Sequence, residues 1–194
     1  MNEIAFVIGN GTSRASINLS KLKSQGKIYG CNALYRDFDP DILVCVDTKM
    51  VIEINNAKYQ HSHEVWTNPN KLFHNMTGFN FFNPGKGWSS GPTALWKASQ
   101  DGFDEIYILG FDYEGIDDKI NNMYADTANY RKSTDKATYF GNWQKQTYST
   151  IYQNRDKRYI RVIQEEGYIP REFSKLYNLK HMNITDFCEK FAKI

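Results

Sequence analysis

The stretch Phe6-Val7-Ile8-Gly9-Asn10-Gly11-Thr12-Ser13 decides the reading of the fold, because an apolar run breaks there into a glycine-rich, hydroxyl-bearing turn. A short continuous apolar run suits a strand covered on both faces, and the turn after it suits a phosphate-accepting loop. Gly9 and Gly11 are expected to supply positive φ and close backbone approach to a ligand, while Thr12 and Ser13 offer hydroxyls to phosphate oxygens. The spacing is not the G-x-G-x-x-G of dinucleotide enzymes, and no P-loop lysine follows. The motif therefore points to a nucleotide without specifying which one.

On either side of this stretch and along the rest of the chain, apolar runs alternate with helix-compatible segments. Strands are expected at 4–8, 27–31, 42–46, 64–66, 79–82, 105–109 and 179–182. Ile17, Leu19 and Leu22 supply a short apolar set for the first crossover. A helix is expected over 89–100, where Ser89 or Ser90 caps, Gly91-Pro92 opens the first turn, and Ala94, Leu95 and Ala98 follow at helical spacing. It leads directly into Ile106-Tyr107-Ile108-Leu109, half of a right-handed crossover unit. The segment 115–136 is polar and aperiodic, which predicts a long lid or binding loop. The expected architecture is a single α/β domain over 1–194, Rossmann-like, with a mostly parallel sheet and helices on both faces.

Composition narrows the partners. The 24 Lys and Arg nearly balance the 22 Asp and Glu, for a net charge of +2, so the basic footprint of a dedicated nucleic-acid binder is missing. Cys31, Cys45 and Cys188 are odd in number and have no paired metal-ligand spacing, which fits a reducing compartment. No apolar stretch approaches the roughly 20 residues of a membrane span. The start, Met1-Asn2-Glu3-Ile4, has neither a basic region nor a cleavage signature, so a cytoplasmic protein is expected.

Four clusters would sit at the carboxyl ends of strands, where open α/β sheets bind ligands. They are the glycine loop 9–13, Asn32, Asp47, and Gly110-Phe111-Asp112-Tyr113, the last joined by Ser89-Ser90-Gly91 at the start of the helix before it. Each alone is ordinary turn chemistry. Four on one edge of one sheet predict a ligand cleft. Asn32 carries both the donor and the acceptor needed to read a base or ribose.

The strings IGNGTS, GCNALY, SSG and DEIYILGFDY resemble the nucleotide-binding framework of the bacterial CMP-sialic-acid-dependent sialyltransferases of glycosyltransferase family 42, over roughly the first 145 residues. The resemblance implies a CMP-sugar donor held by Asn10, Gly11, Ser13, Asn32, Ser90 and Gly91, with Tyr124 on the donor phosphate. The family's catalytic Tyr-x-Gly-His segment matches Tyr139-Phe140-Gly141-Asn142, which puts an amide at Asn142 where the family has an imidazole. An amide does not accept a proton from a hydroxyl at neutral pH, so Asp47 or Asp112 becomes the candidate base, with Tyr124 and Tyr139 supporting the leaving phosphate. The family's arginine before its Ser-Gly also has no counterpart in Lys86-Gly87-Trp88, and its asparagine after the third strand is Asp47 here. No cofactor is implied.

Asp39-Pro40-Asp41-Ile42-Leu43-Val44-Cys45-Val46-Asp47 with the later Gly-Phe-Asp exit also resembles, over less of the chain, the 6-hydroxymethylpterin diphosphokinase-like group. That resemblance implies Mg²⁺ held by Asp47 and Asp112 at a nucleoside triphosphate. A non-catalytic nucleotide-binding relative is the third reading. Of the aromatic residues, Trp88 is expected at the pocket edge, whereas Trp96, Tyr107 and Trp143 are read mainly as packing. His61, His63, His74 and His181 are read as surface or packing residues, and His61-x-His63 lacks the third ligand of a metal site.

Overall fold

The computed structural model describes residues 3–191; residues 1–2 and 192–194 of the expected domain, including Met1 and Asn2 of the leader reading, lie outside the described residues. Its strands are β1 (Ile4–Ile8), β2 (Lys27–Cys31), β3 (Ile42–Val44), β4 (Val65–Thr67), β5 (Asn80–Phe81), β6 (Glu105–Leu109), β7 (Arg158–Ile163) and β8 (Leu179–Asn183). The helices are α1 (Thr48–Asn56), α2 (Ser90–Gln100), α3 (Gly141–Gln153) and α4 (Ile184–Phe191). The strands form one sheet in the order β5-β4-β3-β2-β1-β6-β7-β8, and every pairing is parallel. The fold is α/β and Rossmann-like.

Alternation along β1 explains the two layers. Phe6 and Ile8 pack on one face with Met50 and Ile54 of α1 and Phe187 and Phe191 of α4. Ala5 and Val7 pack on the other with Ala94, Leu95 and Ala98 of α2 and Ile151 of α3. Each such aliphatic side chain, fully withdrawn from water, contributes about 1.5–3 kcal/mol. Helices therefore cover both faces, which is why β1, β2 past Lys27 and β6 past Glu105 read as nearly continuous apolar runs. Ile17, Leu19 and Leu22 are buried in the first layer, but the chain carries Leu19 and Leu22 in a single turn of 3-10 helix, Leu19–Leu22, and Ile17 in the irregular stretch between it and the turn Thr12–Arg14.

The chain travels outward from β1 to β5, then crosses back to lay β6 against the opposite side of β1. The switch point of the sheet thus lies between β1 and β6, the place where open α/β sheets bind ligands. The segment 115–136 has no helix or strand, only the isolated bridges Ile116–Lys119 and Lys119–Lys136. It is tied back to the β1 exit through Met123 N–H donating to Asn10 O at 2.8 Å. Among the described residues no helix is long and apolar enough to cross a membrane.

The structure adds β7, α1, α3 and α4 to the expected elements. Arg158 and Arg161 interrupt the apolar run of β7, yet Arg161 is only 2% exposed. In α3 the inward positions are largely Thr147, Thr150 and Ile151, too polar a stripe to register as an amphipathic helix.

Candidate functional site

A cleft of about 310 Å³ opens at the switch point. Gly9, Asn10 and Gly11 form one wall with Asn32 and Asp47, and Ser89, Ser90 and Gly91 begin α2 on another. Gly110, Phe111, Asp112, Tyr113 and Glu114 close the β6 side, and Tyr130 and Arg131 come from the long loop. All four expected clusters therefore meet in one cavity. Thr12 and Ser13 do not line it.

The glycine loop is held differently from the expectation. Neither Gly9 nor Gly11 takes a positive φ, and Gly11 is extended at φ −64°. Their glycine character answers close packing. A Cβ on Gly9 would stand 2.5 Å from Gly110 O, and one on Gly11 would stand 2.4 Å from Asp112 Oδ2. The positive φ belongs to Gly110, at 67°. Gly9 N–H donates to Leu109 O at 2.7 Å, and Gly11 N–H to Gly110 O at 2.9 Å, so the two strand exits lie back to back.

The donors offered by Thr12 and Ser13 are already used. Ser13 N–H donates to Asp112 Oδ2 at 3.1 Å, and Ser13 Oγ–H donates to Asp112 Oδ1. Thr12 donates from N at 2.9 Å and from Oγ1 at 2.7 Å to Asn121 Oδ1. Asn121 Nδ2 donates in turn to Asp112 Oδ2 at 3.0 Å. The Asp112 carboxylate thus accepts three hydrogen bonds within the chain.

The opposite holds for Asn10 and Asn32. Asn10 is 9% exposed; its Nδ2 donates to Cys31 O at 3.3 Å and to Tyr130 Oη at 3.4 Å, while its Oδ1 has no partner. Asn32 stands just past β2 in the left-handed region, at φ 51°, and its buried Oδ1 is also unpartnered. Asparagine tolerates that backbone better than most residues. Two unpaired buried acceptors cost about 1–3 kcal/mol each unless a donor reaches them, so these oxygens call for a donor from outside the chain, a water or a ligand N–H or O–H group. Ala33 N–H and Asn10 Nδ2–H both donate to Tyr130 Oη, which fixes the tyrosine beside this pair. Burial pushes the Cys31 thiol beneath them up to about 12, so it stays protonated and acts as packing.

At the other wall the start of α2 remains open. Ser89 occupies the cap position, but its side chain makes no capping bond. Ser90 Oγ accepts from Val46 N–H at 3.0 Å and is turned to the sheet. Ser89 N–H is held by Gln146 Oε1 at 3.0 Å. The amides of Ser90 and Gly91 have no intrahelical acceptor by position, and they lie at the positive end of an 11-residue helix. Asp47 caps α1 through Lys49 N–H at 3.1 Å and is exposed at the mouth of the cleft.

Other expected site residues lie elsewhere. Tyr124 does not line the cleft: its hydroxyl donates to Asp37 Oδ1 at 2.7 Å and accepts from Arg14 Nη2 at 3.4 Å within the buried layer. Tyr139 is 75% exposed. Asn142 is exposed on the first turn of α3, while its neighbours Phe140 and Trp143 line the cavity. Helical geometry explains this, since Phe140 and Trp143 are three residues apart and share a face that Asn142 does not. Trp88 is likewise outside the lining, with Lys86 Nζ 5.0 Å over its ring.

Several contributors escaped the sequence reading, among them Glu114, Arg131, Phe140 and Trp143, the last expected mainly as packing but found on the cavity wall. Tyr130 rather than Tyr124 is the loop tyrosine at the cleft, and no local signal separates the two. Arg161 is buried under the β6 exit and donates to Phe111 O at 2.8 Å, Tyr168 O at 2.9 Å and Asp112 O at 3.1 Å. Its burial lowers its proton affinity from the ordinary arginine value. The guanidinium lies 5.0 Å from the Tyr113 ring. Tyr113 itself is held at φ 59°, a strained value for an aromatic residue, and its hydroxyl donates to Thr147 Oγ1 at 2.6 Å.

Among the described residues no group of three or more His, Cys, Asp and Glu side chains gathers as a metal site. Asp47 and Asp112, the Mg²⁺ ligands of the diphosphokinase-like reading, both line the cleft, but the hydrogen bonds on Asp112 leave a poor fit for that ion. No protein-family model, curated protein or solved structure matches the chain. The geometry is suited to holding a ligand with hydrogen-bond donors at Asn10 and Asn32 and one anionic group at α2.

Proposed function

We propose that this chain is a nucleotide-sugar-dependent transferase that binds its donor in the switch-point cleft and transfers the glycosyl group. The observation that carries the reading is the pair of unpartnered amide oxygens, Asn10 Oδ1 and Asn32 Oδ1, set in the same cleft as the uncapped start of α2. A base or ribose satisfies the two oxygens, and the phosphate takes the Ser90 and Gly91 amides. Cytidine monophosphate sugars are the favoured donors on the sialyltransferase resemblance. Asp47, exposed at the mouth, is the carboxylate available to take the acceptor proton. Asn142 has no part in this reading.

Thermal melts of the full chain against CMP, CDP, UDP, GDP, ATP and their sugar conjugates, with and without Mg²⁺, test it. A cytidine ligand at about 100 times its dissociation constant should add roughly 2.7 kcal/mol, in EDTA as well as in Mg²⁺. If no nucleotide in the panel raises the melting temperature, the reading fails. Release of CMP from a CMP-sugar, lost in Asp47→Asn, separates a transferase from a protein that only binds.

A further inference from the structure

The sequence motif that first suggests phosphate binding is, in the folded chain, closed by the protein itself. An anion cradle needs convergent N–H and O–H donors and room for the anion to come near the backbone. The turn after β1 supplies both. Thr12 and Ser13 present two amides and two hydroxyls, and Gly11 leaves open the space a Cβ would take. That space is filled by the Asp112 carboxylate, whose Oδ2 lies 2.4 Å from where the Cβ would be. Asp112 is held there from two sides. Asn121 Nδ2 donates to its carboxylate, and Arg161 Nη2 donates to its backbone oxygen.

We propose that Asp112 is an internal anion that occupies the glycine-loop cradle and excludes ligand phosphate from it, making Asp112 a specificity-determining residue of the cleft. A phosphate group entering the loop would meet a carboxylate at contact distance and find both amides engaged. The anionic part of any ligand is therefore confined to the α2 side of the cleft. A chain of phosphates running across to the β1 loop is rejected. The exclusion stands on the loop geometry alone; its meaning for substrate choice rests on the transferase reading above.

The test follows the Thr12 and Ser13 amide resonances of isotope-labelled full-length protein during titration with inorganic phosphate. In the wild type these two amides should stay unmoved. In Asp112→Ala they should shift saturably, with phosphate bound at least about tenfold tighter, equivalent to 1.4 kcal/mol. Wild-type amides that titrate with phosphate as the variant's do would overturn the proposal, and so would a folded Asp112→Ala that gains nothing. If Asp112→Ala does not give a folded spectrum, Asp112→Ser removes the charge, frees most of the carboxylate's space and keeps one polar atom. A gain in phosphate binding there supports the idea, and its absence in the folded variant refutes it. Because the probe is inorganic phosphate, a nucleotide panel that fails leaves this result standing, and a failure here leaves the nucleotide result standing.

Discussion

Two polar turns at the carboxyl edge of the sheet, residues 9–13 after β1 and residues 89–91 at the start of α2, are built from the same residue types and end in opposite states. In the first, Thr12 and Ser13 spend their donors on Asn121 and Asp112. In the second, Ser89 leaves the helix uncapped by its side chain, and Gly91 lines the cleft. Residue chemistry gives both turns donors suited to an anion, and long-range packing decides which of them the chain itself occupies. The partners that close the β1 turn lie 99 and 109 residues away in the chain.

Removing the support of the closed turn should give the largest effect. Arg161→Met keeps the bulk but leaves the carbonyls of Phe111, Asp112 and Tyr168 without their donor. At about 1 kcal/mol for each hydrogen bond, the variant should lose roughly 3 kcal/mol of stability. The guanidinium is costly to bury, and its loss recovers part of that cost, but the buried Phe111 carbonyl and the two part-buried ones left without a donor outweigh it. Urea denaturation with an unchanged m value reads this directly. A loss below about 1 kcal/mol would show that the β6 exit holds itself, and the contrast between the turns would no longer depend on β7.

How much of this could be read beforehand differs across the sheet. β1, β2 and β6 are legible to the residue because strands buried on both faces must be continuously apolar. The meeting of the glycine loop, Asn32, Asp47, Ser89 to Gly91 and Asp112 was legible too, because parallel strands bring their exits to one edge. β7 was not, since Arg161 reads as a surface charge until Phe111 and Tyr168 are seen to satisfy it. Nor was the state of the β1 turn. A glycine needed for φ and a glycine needed for room look alike in a sequence, and the choice between Tyr124 and Tyr130 depends on how an aperiodic loop folds back.

A pH series probes the same support more gently. His181 pairs in register with Arg161 on β8, and its Nδ1 has no partner. Burial first, and the neighbouring Arg161 charge second, lower it from 6.5 to about 4. The unfolded chain therefore takes up the proton before the folded one does. Stability is complete above about pH 6.5 and falls as the pH drops toward 4. The ring is only part-buried, so solvent screening reduces the contribution to about 1 kcal/mol. In His181→Gln the slope of stability against pH between 6.5 and 4 should flatten by that amount. An unchanged slope would assign the acid sensitivity to other groups.

The smallest change in stability should accompany a clear change in binding, and it falls on the open turn. Gly91 has no positive φ, and a Cβ there would stand 3.3 Å from Phe111 Cζ, a contact that a small shift relieves. Alanine is a better helix residue than glycine by up to about 1 kcal/mol, which offsets the tight contact. Gly91→Ala should therefore melt within about 0.5 kcal/mol of the wild type. The methyl nevertheless enters the wall of the cleft beside the amides assigned to the phosphate. Affinity for the nucleotide identified by the thermal panel should fall about tenfold, or 1.4 kcal/mol. Titration calorimetry on the folded variant measures it. If affinity holds while stability also holds, the start of α2 is not where the anion sits, and the two turns are alike in function despite their different hydrogen bonds.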